Sequence, residues 1–131
     1  MSFISEIMDN LATVAESTDP YAGIVYGSDP PEDGICMIQN GGFALEDHLD
    51  TGELYTLPVL LNGKNSSQQA VLEALTAIHA RLTKTHDHTD LSTEDAQVIA
   101  VRTTAAPSII GRELNNQWIC GSSLEVDFYW R

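Results

Sequence analysis

The sequence predicts an α+β fold in which an antiparallel or mixed β-sheet is packed by two main helices. Two observations lead to this fold class. Apolar residues recur at helical spacing in two separate segments, and the final segment alternates apolar and polar residues as a half-buried antiparallel strand does. The length of 131 residues predicts a single domain covering residues 1–131.

Two segments have the apolar spacing of amphipathic helices. The first covers residues 3–16, and "STDP" is expected to end it at Pro20. The second and longer helix is predicted from Ser66 to about Lys84, where Ser66 and Gln69 have the spacing of a capping box. Its apolar stripe consists of Val71, Leu72, Leu75, Ile78 and Leu82.

Five segments have the composition of strands. Residues 22–27 and 35–39 flank "SDPPEDG" and predict a β-hairpin, whereas "NGGFALEDHLDTG" is polar and predicts a loop. "ELYTLPVLLNG" predicts a third strand, in which Pro58 indicates a bulge or an edge position. "AQVIAVRTTAAP" and "NQWICGSSLEVDFYWR" predict the last two strands, with helices on one side of the sheet. One face of the final strand carries Leu124, Val126, Phe128 and Trp130.

Charge is the strongest compositional signal. Nineteen acidic residues against six basic ones give a formal charge of −13, and the bases are scattered. Such a surface repels phosphate backbones, which argues against a protein that grips nucleic acid. The sequence also predicts no membrane span and no signal peptide, hence synthesis in the cytosol. Cys36 and Cys120 have apolar neighbours and are predicted to be reduced, buried residues.

"VLLNGKNSSQQAVLEAL" places an apolar run, a glycine-lysine pair and a helix in the order of a phosphate-binding loop. That motif requires a glycine five residues before Gly63 and a serine or threonine after Lys64. The sequence has Pro58 and Asn65 at these positions. We therefore interpret the segment as a capped helix start.

The remaining chemical candidates are weak. His86, Asp87, His88 and Asp90 in "THDHTD" could bind a transition metal, but they fall in a predicted loop, which does not hold ligands rigidly. His79 is predicted on a helix face or partly buried. "CGSSL" lacks the Gly-x-Ser-x-Gly elbow of a serine hydrolase. These patterns predict neither catalytic residues nor a cofactor, and an enzyme is not expected.

The order of the elements and the residue composition of their segments resemble those of the tail terminator proteins of long-tailed bacteriophages. These are also described as minor capsid or tail-completion proteins. The likeness is carried by the N-terminal helix, by "GIVYGSDPPEDGICMIQ", by "LYTLPVLLNGKN", by "SSQQAVLEALTAIHARL" and by the closing "SSLEVDFYWR". It covers nearly the whole chain in order and length.

This resemblance implies a structural subunit, without catalytic residues or cofactor, that forms a hexameric ring with copies of itself. The ring would cap the tail tube, end polymerisation of the tube protein and join a head-completion or connector protein. DNA would pass through it without specific binding. The implied location is the tail-neck region of the virion, after assembly in the cytoplasm of the bacterial host.

Two residue sets are predicted to serve such a ring. Large amphipathic side chains suit contacts between subunits or with partners, and these are Tyr55, Trp118, Tyr129 and Trp130. Acids of the predicted loop "LEDHLDTGE" are expected to face the lumen or a ring face and to repel DNA, and these are Glu46, Asp47, Asp50 and Glu53. Two alternatives stay open: a head–tail connector adaptor or stopper, and a small metal-binding enzyme that uses the His86/His88 loop.

Overall fold

The computed structural model confirms the α+β fold class. It describes residues 2–27, 29–39, 44–48, 52–84, 91–94 and 96–130. In chain order, the elements are α1 (Ser2–Glu16), β1 (Ile24–Tyr26), β2 (Ile35–Gln39), β3 (Ala44–His48), β4 (Gly52–Asn65), α2 (Gln68–Lys84), β5 (Ala96–Arg112) and β6 (Trp118–Trp130).

The strands form one mixed sheet in the order β1-β2-β4-β6-β5, with β3 paired to β4. The predicted antiparallel hairpin at its beginning is wrong. β1 and β2 are neighbours but run parallel, with Ile24 opposite Ile35. The chain therefore returns to the level of Ile24 before β2 starts. Its turn, closed by a 2.9 Å hydrogen bond from Gly34 N–H to Pro31 O, lies immediately before β2 rather than midway between the strands.

The predicted polar loop between the second and third strands is also wrong over part of its length. Ala44–His48 forms β3, which pairs antiparallel with the beginning of β4. Acidic residues have a low intrinsic preference for strands, but the open edge of a long neighbouring strand offers partners for their backbone groups. Tertiary pairing therefore decides the conformation of this segment.

β4 is the long central strand that organises the sheet. β6 pairs with one of its edges over Glu53–Asn65, while β2 and β3 pair with the other edge at successive positions. Pro58 is therefore not on an edge strand. Among the described residues, neither β2 nor β3 has a partner opposite Leu57 or Pro58, so the missing N–H of the proline falls where the ladder is interrupted.

Both helices pack on one face of the sheet and enclose a single core. The alternation predicted for β6 is confirmed for the described side chains, because Leu124, Val126 and Phe128 are fully buried. β5 is longer than predicted and continues through Pro107 to Arg112 as an irregular edge strand. The helix side of the core includes Ile7, Leu11, Val14, Val71, Leu75, Ile78 and Leu82.

The N-cap of helix α2 lies one residue later than the sequence indicates, and the helix itself begins at Gln68. The Ser67 hydroxyl accepts a 3.2 Å hydrogen bond from the Ala70 N–H and is the N-cap, so the predicted Ser66–Gln69 capping box is wrong. The reason is tertiary. The Ser66 N–H donates to the Asp33 carboxylate, 3.2 Å away, which holds Ser66 outside the helix.

Candidate assembly surfaces

Tyr55, one of the four predicted contact residues, lies inside the protein. Only 9% of it is exposed, and its ring stacks on Phe128 with the ring centroids 5.6 Å apart. The two residues are opposite each other in β4 and β6, on the face that the helices cover. Tyr55 therefore offers little area to a partner and contributes mainly to packing.

The other three predicted aromatic residues lie in β6. Trp118 is half-buried at the start of the strand, and the Arg112 guanidinium lies over its ring, 5.3 Å from the centroid. Tyr129 is half-buried. Trp130 ends the strand opposite Glu53, and its side chain lies outside the described part of the structure. Of the four, Trp118 and Tyr129 have described side chains with surface left for a partner.

Three of the four predicted acidic residues fall on the β3–β4 hairpin. Asp47 is directly opposite Glu53, and Glu46 is opposite Leu54. Asp50 lies outside the described residues. Directly opposed positions on paired strands are about 5 Å apart, so the backbone brings the positions of Asp47 and Glu53 together. The structure thus brings carboxylate-bearing positions together on a strand pair, not on the predicted loop.

A polar network covers the sheet face that the helices leave open. The Arg102 guanidinium forms two hydrogen bonds with the Asp127 carboxylate, of 2.9 and 3.2 Å, and an ion pair of 2.9 Å with Glu125. The Thr56 hydroxyl donates to Asp127 at 2.7 Å. These bonds connect β4, β6 and β5, so the open face has a defined arrangement of charged groups.

The turn between β5 and β6 is fixed to the body of the protein. Gln117 is 2% exposed, and its side chain exchanges two hydrogen bonds with Asp33, of 2.8 and 3.2 Å. The Lys64 ammonium lies 2.9 Å from both Glu113 and Asp29. Hydrogen bonds to Glu113 and Asp29 raise the pKa of Lys64, so this buried group stays charged.

Exposed apolar side chains occur at the two ends of the sheet. Among the described side chains, the exposed large apolar residues are Val25, Tyr26, Ile99, Ile110 and Leu114. The first two belong to β1, the next two to β5, and Leu114 lies in the turn that follows β5. β1 and β5 are the outermost of the described strands, so the four strand residues lie at the two edges of the described sheet.

A groove of about 240 Å³ opens beside β1. It lies between α1 and the end of β2 and is lined mainly by Met8, Asp9, Tyr26, Met37 and Ile38. The Tyr26 hydroxyl donates a hydrogen bond to the Asp9 carboxylate. Burial and this hydrogen bond raise the pKa of Tyr26 to about 12, so its hydroxyl remains a donor at neutral pH. The groove combines an apolar floor with an acidic rim.

A histidine and a serine meet in the core, but they do not form a catalytic pair. His79, on α2, has Nε2 2.8 Å from the Ser122 hydroxyl and Nδ1 2.9 Å from the Thr103 hydroxyl. Ser122 itself donates to the Leu61 carbonyl at 2.8 Å, so it accepts from the imidazole. Both side chains are 5% exposed, which leaves no approach for a substrate. These hydrogen bonds hold α2 against the sheet.

The structure also bears on the two cysteines and on the metal-binding candidates of the sequence. Cys36 and Cys120 are buried and form no disulfide, as predicted, and burial raises the pKa of Cys120 to about 11. The "THDHTD" segment with His86 and His88 lies outside the described residues. Within the described part of the chain, no cluster of three or more metal-ligating side chains occurs, and no helix is long and apolar enough to cross a membrane.

No protein-family model matches this chain, and no curated protein sequence does. Among solved structures, a chain in the virion of a native gene transfer agent (GTA) particle is similar to it. The TM-score is 0.59 and the sequence identity is 12%, over 94% of this chain and 91% of that chain. At this identity, the similarity establishes a shared fold over nearly the full length.

The sequence reasoning did not select the most exposed apolar residues. Leu114 is fully exposed in "ELNNQ", and Tyr26 is 56% exposed at an edge strand. An apolar residue within a turn-forming segment is a signal that could have identified Leu114. No comparable signal exists for Tyr26, because its strand is an edge only through the order in which the strands assemble.

Proposed function

We propose that this protein is a structural subunit of a phage-like virion and that it acts as a tail terminator. In this role it forms a ring that caps the tail tube, ends polymerisation of the tube protein and joins the tail to a head-completion or connector protein. The observation that carries the proposal is the shared fold, over 94% of this chain, with a chain of a gene transfer agent virion.

The surfaces described above support a role in assembly. Exposed apolar residues lie at both outermost strands, and the uncovered face of the sheet carries an ordered polar network. The polar groups that meet in the core, such as His79 and Ser122, are buried and hydrogen-bonded to each other. A subunit that binds neighbours through its edges needs such surfaces and no reactive centre.

We also propose that the acids of the β3–β4 hairpin face the lumen or one face of the ring. The register that places Asp47 opposite Glu53 supports this placement, as does the absence of any lysine or arginine from residues 1–63. Negative charge along a channel repels the DNA backbone and lets it pass without being held. A reconstruction of the virion neck with Glu46, Asp47 and Glu53 on the outer wall would remove this part of the proposal.

The termination role is tested by assembling particles without this protein and measuring their tails by negative-stain electron microscopy. We expect tubes of uncontrolled, excessive length without attached heads. Supplying the wild-type protein during assembly should restore a uniform length.

The same experiment separates the proposed role from that of a connector adaptor or stopper. Loss of an adaptor or stopper on the head side would leave tubes of normal length that fail to join heads. Normal tube length in the absence of this protein would therefore contradict termination and favour that alternative.

A further inference from the structure

The two ends of the sheet carry surfaces that differ in shape and charge. We define the hairpin-tip surface as Ile110, Arg112 and Leu114, at the end of β5 and in the turn that follows it. We define the edge groove as the groove beside β1, with Asp9 and Tyr26 at its rim. The strand order places β1 and β5 four inter-strand spacings apart, roughly 19 Å. One copy of the chain therefore carries the two surfaces on different edge strands of its sheet.

The hairpin-tip surface projects an apolar side chain from a turn whose backbone is ordered. The side chain of Leu114 is fully exposed, although the turn that carries it is well fixed. The Glu113 N–H donates to Gln117 O at 2.8 Å, and the Asn116 N–H donates to Glu113 O at 3.1 Å. Because the backbone of the turn is already ordered, binding through Leu114 costs little further loss of backbone freedom.

The edge groove is complementary to this projection in shape. Its apolar floor includes Met8 and Ile38, and its volume of about 240 Å³ gives room for an aliphatic side chain. The exposed ring of Tyr26 forms one wall, and Val25 beside it in β1 is 45% exposed. Aromatic and methionine side chains around a groove are typical of contact surfaces between proteins.

The charges of the two surfaces are also complementary. All six lysine and arginine residues lie at position 64 or beyond, so the segment that forms the groove contains acids and no bases. Arg112 is exposed on the tip; within the described residues it contacts Asn116 and Trp118 and no carboxylate. A partner for the groove must therefore be apolar with a positive charge beside it, and the hairpin tip of this same chain has that composition.

We infer that the hairpin tip of one copy of this chain docks into the edge groove of a second copy, with Leu114 in the groove and Arg112 facing Asp9. The contact joins different surfaces, so each bound copy keeps one free tip or groove for a further copy. Repetition of such a heterologous contact closes into a ring when the rotation per subunit allows it. The inference thus rests on the proposed ring for its place in the virion, but it is measured on the purified chain.

The charge pair is tested by sedimentation velocity over a wide range of protein concentration. The wild type should associate reversibly, and Asp9→Arg and Arg112→Glu should each weaken this association by about tenfold or more. The double variant Asp9→Arg/Arg112→Glu should recover most of the loss, because the two charges are exchanged. Glu94→Arg and Arg81→Glu make the same charge changes at exposed positions elsewhere and should leave association close to that of the wild type.

Mixing tests the head-to-tail geometry. Leu114→Asp disrupts the hairpin-tip surface and leaves the edge groove intact. Tyr26→Asp disrupts the edge groove and leaves the hairpin-tip surface intact. Each variant alone should be monomeric, and an equimolar mixture should give dimers and nothing larger. Both substituted side chains are exposed, so the variants should fold. Circular dichroism spectra and melting temperatures close to those of the wild type would verify this. Leu114→Ser provides a milder second variant of the tip.

Three results would overturn the inference: a wild type that is monomeric at every concentration, a double charge variant that associates as weakly as the single variants, or a mixture that forms no dimers. None of them bears on tube length, so failure here is distinguishable from failure of the termination role. Overlong tubes without the protein, together with a monomeric wild type, would retain the proposed function and reject this contact.

Discussion

At the scale of residues, the buried imidazole of His79 couples stability to pH. Its two ring nitrogens bond to Ser122 and Thr103, and burial lowers its pKa. The folded state therefore prefers the neutral ring, while the unfolded chain protonates with an ordinary pKa of about 6.5. Below that pH the unfolded state binds more protons, so stability that is fully present above pH 6.5 is lost as the pH falls.

We expect the free energy of unfolding of the wild type to fall between pH 7 and pH 5.5 more steeply than that of His79→Gln. One proton limits the difference in slope to about 1.4 kcal/mol per pH unit. Urea denaturation at several pH values measures it. His79→Gln should also cost about 1–3 kcal/mol at pH 7.5, because it disturbs a buried hydrogen-bonded group. Equal pH slopes in the two proteins would contradict the buried neutral imidazole, and titration of the other histidines cancels in this comparison.

At the scale of elements, two adjacent serines test where α2 begins. Ser67→Ala removes the N-cap acceptor of the Ala70 N–H and should cost about 1 kcal/mol of stability. Ser66→Ala is the matched control. The Ser66 backbone N–H, which bonds to Asp33, is unchanged by that substitution, so its effect should stay within about 0.5 kcal/mol. Chemical denaturation measures the stability of both variants. A larger loss of stability from Ser66→Ala than from Ser67→Ala would contradict Ser67 as the N-cap and support Ser66.

The edge strands show how an element's role depends on its neighbours. β5 is irregular, with register shifts at four places along its pairing with β6. Bulges of this kind protect an edge from uncontrolled pairing with other sheets. Exposed apolar side chains at the same edge, such as Ile110 and Leu114, then direct contacts to side chains and not to the backbone ladder. This is why the inferred contact between copies uses the hairpin tip and not strand addition.

At the scale of the whole molecule, the formal charge of −13 opposes compaction. Screening by salt reduces this repulsion between exposed acids, whereas the partly buried ion pair of Lys64 with Glu113 is screened less. We expect the melting temperature, measured by calorimetry at low protein concentration, to rise by a few degrees, roughly 2–5 °C, between 10 and 200 mM NaCl. A melting temperature that falls over this range would show that attractive ion pairs outweigh the general repulsion.

Self-repulsion also bears on assembly. The eleven acids of residues 1–63 face no base within that segment, so copies joined through like surfaces would repel one another. Contact between unlike surfaces, with Arg112 against the acidic edge groove, reduces this repulsion. The charge distribution therefore favours a heterologous contact, which is the kind a ring requires.

Local patterns in the sequence were sufficient to predict the α+β class, the two helices and the buried face of β6. Helical spacing in residues 3–16 and from Val71 to Leu82, and alternation from Leu124 to Phe128, each reflect a side-chain period that the backbone imposes. The negative net charge followed directly from the residue composition. These features depend on neighbours along the chain, and for that reason they were readable without coordinates.

Tertiary structure alone decided the features that depend on distant pairing. It made β1 parallel to β2, turned the acidic segment at Ala44–His48 into a strand, moved the cap to Ser67 and buried Tyr55 against Phe128. It also determined which strands are outermost and hence that Tyr26 and Leu114 are exposed together with their charged neighbours. The physical reason is that backbone hydrogen bonds and buried area are settled between segments far apart in sequence, and no local propensity specifies which edge remains open.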